Sequence, residues 1–327
     1  MNGKRIEWVD VARGLAMILV IAGHTAAMGS FTRSIIFSFH IPLFFILSGY
    51  TFHPAASKEE FFRGLKKDAL HLLVPYVVSA FMITLIQIFY RHNPAGTEFK
   101  NLGESLLWAS GTGDGTHEPV GILWFLASLF TARQLFSLLY LIFEEKGKQS
   151  FVPCAAILSL IGFGIGFIDW NWLIFNLDVS MAAVGFLLAG YEYRRHEAVL
   201  NRYRPAIFPF AMIIWMVLMK MFGYIEMSGR WYPEFSLGIL EALCGSYMVI
   251  WFSQSLSGAK PLKKSLCTVG KASLMIMCVH SVEDRVFSFW TRYDPALMCL
   301  ARIAVDVTLG LVLYALISKL KNKKVVQ

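Results

Sequence analysis

The stretch GLAMILVIAGHTAAMGSFT, from Gly14 to Thr32, contains no Lys, Arg, Asp or Glu. It exceeds the roughly 18 apolar residues that license a membrane span. Two more charge-free runs follow, Ser34 to Ser57 and Ala69 to Tyr90, so three crossings are set before the first long connection. The rest of the 327-residue chain is similar, with 56% hydrophobic and 16% charged residues. Soluble domains carry roughly 45–50% apolar and about 25% charged residues. Helices are expected at about 9–28, 34–53, 69–90, 120–143, 150–168, 173–191, 205–223, 235–256, 268–287 and 296–317. This predicts an all-α integral membrane protein, a polytopic bundle of about ten transmembrane helices, with residues 1–327 forming a single transmembrane domain.

The formal net charge of +8 invites a nucleic-acid reading, which the placement of the charges removes. Of the 30 Lys and Arg, six (Arg33, Arg91, Lys100, Arg230, Arg285 and Arg292) fall in connections on one side, and Arg133, Lys220 and Arg302 fall inside predicted spans. The remainder gather on the other side. The positive-inside rule then predicts that both termini are cytoplasmic, with the bilayer rather than nucleic acid as partner. Glu7, Asp10 and Arg13 crowd the start of the first apolar run, so a cleavable signal peptide is not expected. The five cysteines show no Cys-x-x-Cys pair and no His-rich partner segment, so neither a metal site nor a disulfide framework is indicated. The connection from Arg91 to Pro119, rich in turn formers such as Asn93-Pro94, reads as an ordered external loop or lid.

Ionisable groups inside a bilayer are costly and face a cavity or a partner, so each is a site hypothesis. Arg13 and His24 are eleven residues apart. In a helix this is a rise of about 16 Å and a rotation within about 20° of whole turns. They share one face of the first span, Arg13 at its cytoplasmic end and His24 near its outer end. His40 lies at a comparable depth in the second span, although a histidine beside Pro42 also has freed backbone to bond. Glu241, His280 and Arg302 fall in the outer halves of the last three spans, with His117 and Glu118 just above the fourth. Arg302 and Asp306 stand at i,i+4 and are expected to neutralise each other. Arg133 has no acid nearby in sequence and requires a partner on another helix. Arg63, Lys66 and Lys67, before Pro75, serve as a topology signal and, with Arg13 in the same layer, suit the phosphates of a nucleotide-bearing cofactor. Trp124, in Gly121-Ile122-Leu123-Trp124-Phe125-Leu126, belongs to an aromatic belt or to the wall of an acceptor cleft.

Several of these elements resemble the acyltransferase-3 family of membrane O-acyltransferases, which includes fucose 4-O-acetylase-like and bacterial surface-polysaccharide O-acetyltransferases. Trp8-Val9-Asp10-Val11-Ala12-Arg13-Gly14 with Gly23-His24 looks like the family's Arg-x10-His signature. Phe39-His40-Ile41-Pro42-Leu43-Phe44-Phe45 with Ser48-Gly49 looks like its second-helix motif. Trp124-Phe125-Leu126 resembles a mid-chain element, and Gly270-Lys271-Ala272-Ser273-Leu274 followed by His280 resembles a late one. The basic motif before the third span is looser than the family's, with Gly64, Lys66 and Lys67 where arginine is expected.

The resemblance implies a ten-helix enzyme that takes acetyl-CoA as donor on the cytoplasmic side and acylates a hydroxyl of an extracytoplasmic or lipid-linked sugar, in a bacterial cytoplasmic membrane. On that reading Arg13, Arg63, Lys66 and Lys67 hold the CoA phosphates, and His24 is general base or transient acetyl carrier. His40 and Glu118 position or polarise, and Trp124, Glu241 and His280 contact the acceptor. The alternative is a polytopic transporter or exporter of a small amphipathic solute, in which the same buried ions form a relay. It predicts inverted repeats and broken helices, for which the sequence gives no sign.

Overall fold

The computed structural model of the protein describes residues 5–27, 29–109, 120–144, 150–168, 173–256, 260–286 and 295–325. These residues are overwhelmingly helical. The helices are α1 (Glu7–Thr25), α2 (Phe31–Phe37), α3 (His40–Tyr50), α4 (Lys58–Asp68), α5 (Val74–Tyr90), α6 (Ala95–Trp108), α7 (Trp124–Glu144), α8 (Phe151–Ile165), α9 (Leu177–Arg202), α10 (Arg204–Phe222), α11 (Phe235–Ser255), α12 (Lys260–Val286) and α13 (Pro295–Val325). Among the described residues, nine helical segments are long and apolar enough to cross a membrane, with α8 a shorter apolar helix beside them. The chain is an integral, multi-pass membrane protein.

Two expected spans are built from pieces. In the second, α2 ends at Phe37 and α3 begins at His40. Pro42 has no N–H for the Ser38 carbonyl four residues back, and the chain breaks there. The broken ends are satisfied locally: Ser38 Oγ donates to Ile35 O, and Trp215 Nε1 donates to Ser38 Oγ, both at 2.8 Å. This span is therefore broken, contrary to the expectation of unbroken helices. In the third, a π turn at Ala69–Leu73 joins α4 to α5 and absorbs the distortion that Pro75 imposes one turn back. The helix thus starts at Lys58, well before the expected boundary. Ser57 caps it by accepting from the Glu60 N–H at 3.2 Å, while Glu60 Oε2 accepts from the Ala56 N–H at 2.9 Å. The connection expected as an ordered external loop or lid contains α6.

Close helix approach sets the registers. A Cβ on Gly14 would collide with the Leu266 carbonyl, and one on Gly270 with the Asp10 carbonyl. Thus α1 and α12 cross glycine to glycine, as membrane helices do when small residues let backbones meet. The same device joins α3 to α9, where Gly49 lies against Leu187 and Gly190 against Ile46. A core of Phe39, Leu43, Phe45, Phe125, Phe136, Phe186 and their neighbours fills the space between α1, α3, α7 and α9. By contrast α10 and α13 leave most of their apolar surface uncovered, as suits helices facing lipid.

Candidate active site

The bundle has a basic end and a histidine end, and α1 connects them. At the basic end Arg13 lines a cavity of about 290 Å³ with Arg5, Asp10, Thr51, His53 and Arg194. Asp10 is buried and orders this group: Arg5 Nε donates to its Oδ2 at 2.6 Å, and Arg13 Nη1 lies 4.0 Å from Oδ1. Arg13 also donates to Thr51 Oγ1 at 3.4 Å. Its guanidinium lines the cavity, and a guanidinium fork suits phosphate or carboxylate. Arg63, Lys66 and Lys67 are exposed on α4 and line a second cavity of about 420 Å³ with Leu70 and His71. The four cations singled out from sequence therefore divide between two cavities rather than converging on one.

Arg133, which needed a distant acid, finds Asp68. Its Nε donates to Asp68 Oδ2 at 2.8 Å and its Nη1 to Ser48 Oγ at 2.8 Å, so α7 is tied to both α4 and α3. Lys263 reaches Glu7 at 2.6 Å across α1 and α12.

At the other end His24 is half-buried, with its ring 5.5 Å from Phe37 and 5.6 Å from the ring of His280. The meeting of the two histidines follows from the glycine crossing. Gly14 to His24 and Gly270 to His280 are both ten residues, a rise of about 15 Å. On two parallel helices locked at their glycines, both imidazoles arrive at one depth. His280 is fully buried; its Nδ1 donates to Asp306 Oδ2 at 2.8 Å and lies 3.7 Å from Glu283 Oε2. Arg302 donates to Glu283 Oε2 at 2.6 Å and to Asp284 Oδ1 at 2.7 Å. The expected Arg302–Asp306 pair is thus replaced by partners on α12, and Asp306 serves His280. Glu283 and Asp284 were passed over in sequence, and Asp306 was read only as the partner of Arg302. Their signal was the presence of carboxylates within apolar helices.

His40 is buried, with Nδ1 3.1 Å from the Ile36 carbonyl and its ring 4.5 Å from Phe37. It satisfies the backbone at the α2–α3 break, and Phe37 stands between it and His24. Trp124 is packed into the core, 6% exposed. Glu241 is buried on α11, with neither carboxylate oxygen hydrogen-bonded among the described residues. His117 and Glu118 lie outside the described residues.

Above His24, the connection between α10 and α11 folds back over the bundle. Tyr224 packs at a tilt against Phe37 at 5.4 Å and edge-on against Trp231 at 6.2 Å, and Glu226 and Trp231 exchange backbone hydrogen bonds. Arg33 lies over the Phe37 ring at 4.0 Å and donates to the Gly23 carbonyl at 3.0 Å. Burial pushes the Glu226 carboxyl up from the ordinary carboxylate range, partly offset by the hydrogen bonds from Ser228. The exposed Trp231 gives this polar, aromatic rim a stacking face.

The family described as an acyltransferase domain matches residues 6–318. Two similar proteins share the name nodulation protein NolL. The one from Sinorhizobium fredii is 24% identical over 198 residues, covering 58% of this chain and 50% of the relative. The one from Mesorhizobium japonicum is 30% identical over 132 residues, covering 37% and 32%. The matched region spans half or less of either relative's length.

Proposed function

The chain belongs to the acyltransferase-3 family, and from that premise we propose that it is an acetyl-CoA-dependent O-acetyltransferase acting on a hydroxyl of an extracytoplasmic or lipid-linked sugar. The observation that carries the reading is α1 itself. One face holds a guanidinium opening into a cavity at one end and an imidazole within an ionisable cluster at the other.

The basic end is the cytoplasmic end of the bacterial plasma membrane in this reading. Arg13 with Arg5 and Arg194, and Arg63, Lys66 and Lys67 in the second cavity, hold the phosphates of the donor. The pantetheine arm then runs along α1 toward His24. A pantetheine arm is of the same order as the rise of about 16 Å between the two residues. His24 takes the proton of the acceptor hydroxyl, the oxygen attacks the thioester carbonyl, the C–S bond breaks, and the thiolate recovers a proton. The rim of Tyr224, Trp231, Glu226 and Arg33 suits a polar acceptor with a stackable face.

The break between α2 and α3 is what a transporter of small solutes would also contain. One experiment separates the readings. Membranes carrying the protein are given acetyl-labelled acetyl-CoA, and surface glycans from these cells and from a deletion strain are compared by mass. Label in a glycan that loses one acetyl increment in the deletion strain supports the transferase. Absence of both CoA binding and glycan acetylation, with binding of a transported solute, overturns it.

A further inference from the structure

His280 is held in a way the transfer reaction, as drawn, does not use. Its Nδ1 donates to Asp306, its ring lies 5.6 Å from His24, and its Nε2 has no hydrogen-bond partner among the described residues although the side chain is wholly buried. A buried ring nitrogen left unpaired is costly, and here it belongs to a histidine whose other nitrogen is fixed by a carboxylate. That arrangement sets the tautomer: with Nδ1 carrying the hydrogen, Nε2 presents a lone pair. A carboxylate orienting one imidazole nitrogen so that the other can exchange protons is the logic of hydrolytic triads.

Resting on the acetyltransferase reading, we propose that His280 and Asp306 form a proton-relay pair for His24. The proton that leaves the acceptor hydroxyl passes to His24 and on to Nε2 of His280, where Asp306 and Glu283 face the new imidazolium. As the O–C bond forms and the C–S bond breaks, the same proton returns through His24 to the thiolate sulfur. Protons and charge balance without another reactant. Glu283 is kept from collapsing onto the ring by Arg302, which binds it at 2.6 Å and binds Asp284 as well. His280 acts through His24 and is a positioning and relay residue.

Nδ1 of His280 and oxygens of Glu283 and Asp306 also lie within 4.8 Å of one another, a spacing that could close on a cation. Nδ1 is already engaged by Asp306, while Glu283 Oε1 and Asp306 Oδ1 have no hydrogen-bond partner among the described residues, so the chelator arm of the test decides between relay and metal.

The test uses full-length protein in membranes. His280→Gln and Asp306→Asn, near in size to the originals, should each lower kcat at least about 10-fold while the KM for acetyl-CoA stays within about twofold, since neither residue touches the donor phosphates. Turnover within about twofold of wild type in a folded His280→Gln protein overturns the relay. A second measurement needs no variant: single-turnover transfer by the wild type in mixtures of H2O and D2O. A bowed dependence on deuterium fraction marks two protons in flight and supports the relay, whereas a straight line overturns it. Turnover lost to a chelator and restored by a divalent cation also overturns it, in favour of a metal site. Wild-type membranes that transfer no acetyl group reject the acetyltransferase reading itself, a result distinct from an active wild type whose His280 variant is unaffected.

Discussion

Arg13 and His24 sit on one helix face but in different chemistry, so their removal should separate binding from turnover. Arg13 is one of several cations at its end and lines a cavity there. Arg13→Ala should cost one charge-assisted contact, about 1.5–3 kcal/mol, or about 10- to 150-fold in affinity for acetyl-CoA, with turnover partly recovered at high donor. His24→Ala should leave donor binding intact and lower turnover by about 10²–10⁴, with no recovery at high donor. Titrating CoA binding and measuring glycan acetylation in the same membranes checks both, and a folded His24→Ala protein with normal acetylation contradicts the mechanism. These two residues were legible because the evidence for them is contained in one helix: a spacing of eleven residues fixes face and depth. His40 was legible in part, since Pro42 advertised freed backbone and the ring does bond the Ile36 carbonyl. The partners of Arg302 were not. Within a single helix only the i,i+4 acid is visible, and the acids that won, Glu283 and Asp284, lie on a neighbouring helix 19 and 18 residues away.

Among the elements, the crossing of α1 and α12 controls the site. Their backbones touch at Gly14 and Gly270, and the two histidines ride ten residues further on. Any side chain at the crossing must push the helices apart, which in a filled interior costs about 1–3 kcal/mol. Gly14→Val and Gly270→Val should therefore lower the melting temperature in detergent. They should also reduce transfer by about 10²-fold, the usual effect of displacing reacting groups by about 1 Å. Gly103→Ala, on exposed α6 with nothing within 4 Å of the added methyl, is the matched control and should hold or raise stability. Unchanged melting and activity in both valine variants would mean that the crossing is not tight. The existence of both helices was readable from apolar length. Their contact was not, because glycine in a membrane helix signals close approach without naming the partner. The breaks at Ser38–Phe39 and Ala69–Leu73 were foreshadowed only by Pro42 and Pro75, which show that a helix must distort without saying how.

At the scale of the whole molecule, the helices sort by surface and the ends sort by charge. Interior helices bury most of their charged groups in pairs, Glu241 excepted, while α10 and α13 show lipid a nearly continuous apolar face. Arg5, Arg13, Thr51, His53 and Arg194 meet at one end, and His24, Phe37 and Tyr224 meet at the other. This grouping agrees with the two-sided placement of Lys and Arg along the chain, and the positive-inside rule assigns the basic end to the cytoplasm. The assignment decides whether the guanidinium cluster can meet a cytoplasmic donor at all, so it should be measured directly. Single cysteines are introduced at Lys66, Arg202 and Gly229 after the five native cysteines are replaced, and intact cells are treated with a membrane-impermeant maleimide. All three positions are exposed, so access rather than burial governs labelling. Gly229→Cys should label on intact cells, whereas Lys66→Cys and Arg202→Cys should label only after the membrane is opened. The reverse pattern would turn the bundle over. It would put the cations proposed to hold the donor phosphates on the side without acetyl-CoA, and the proposed inward-facing donor site would have to be abandoned while the acyltransferase family assignment stood.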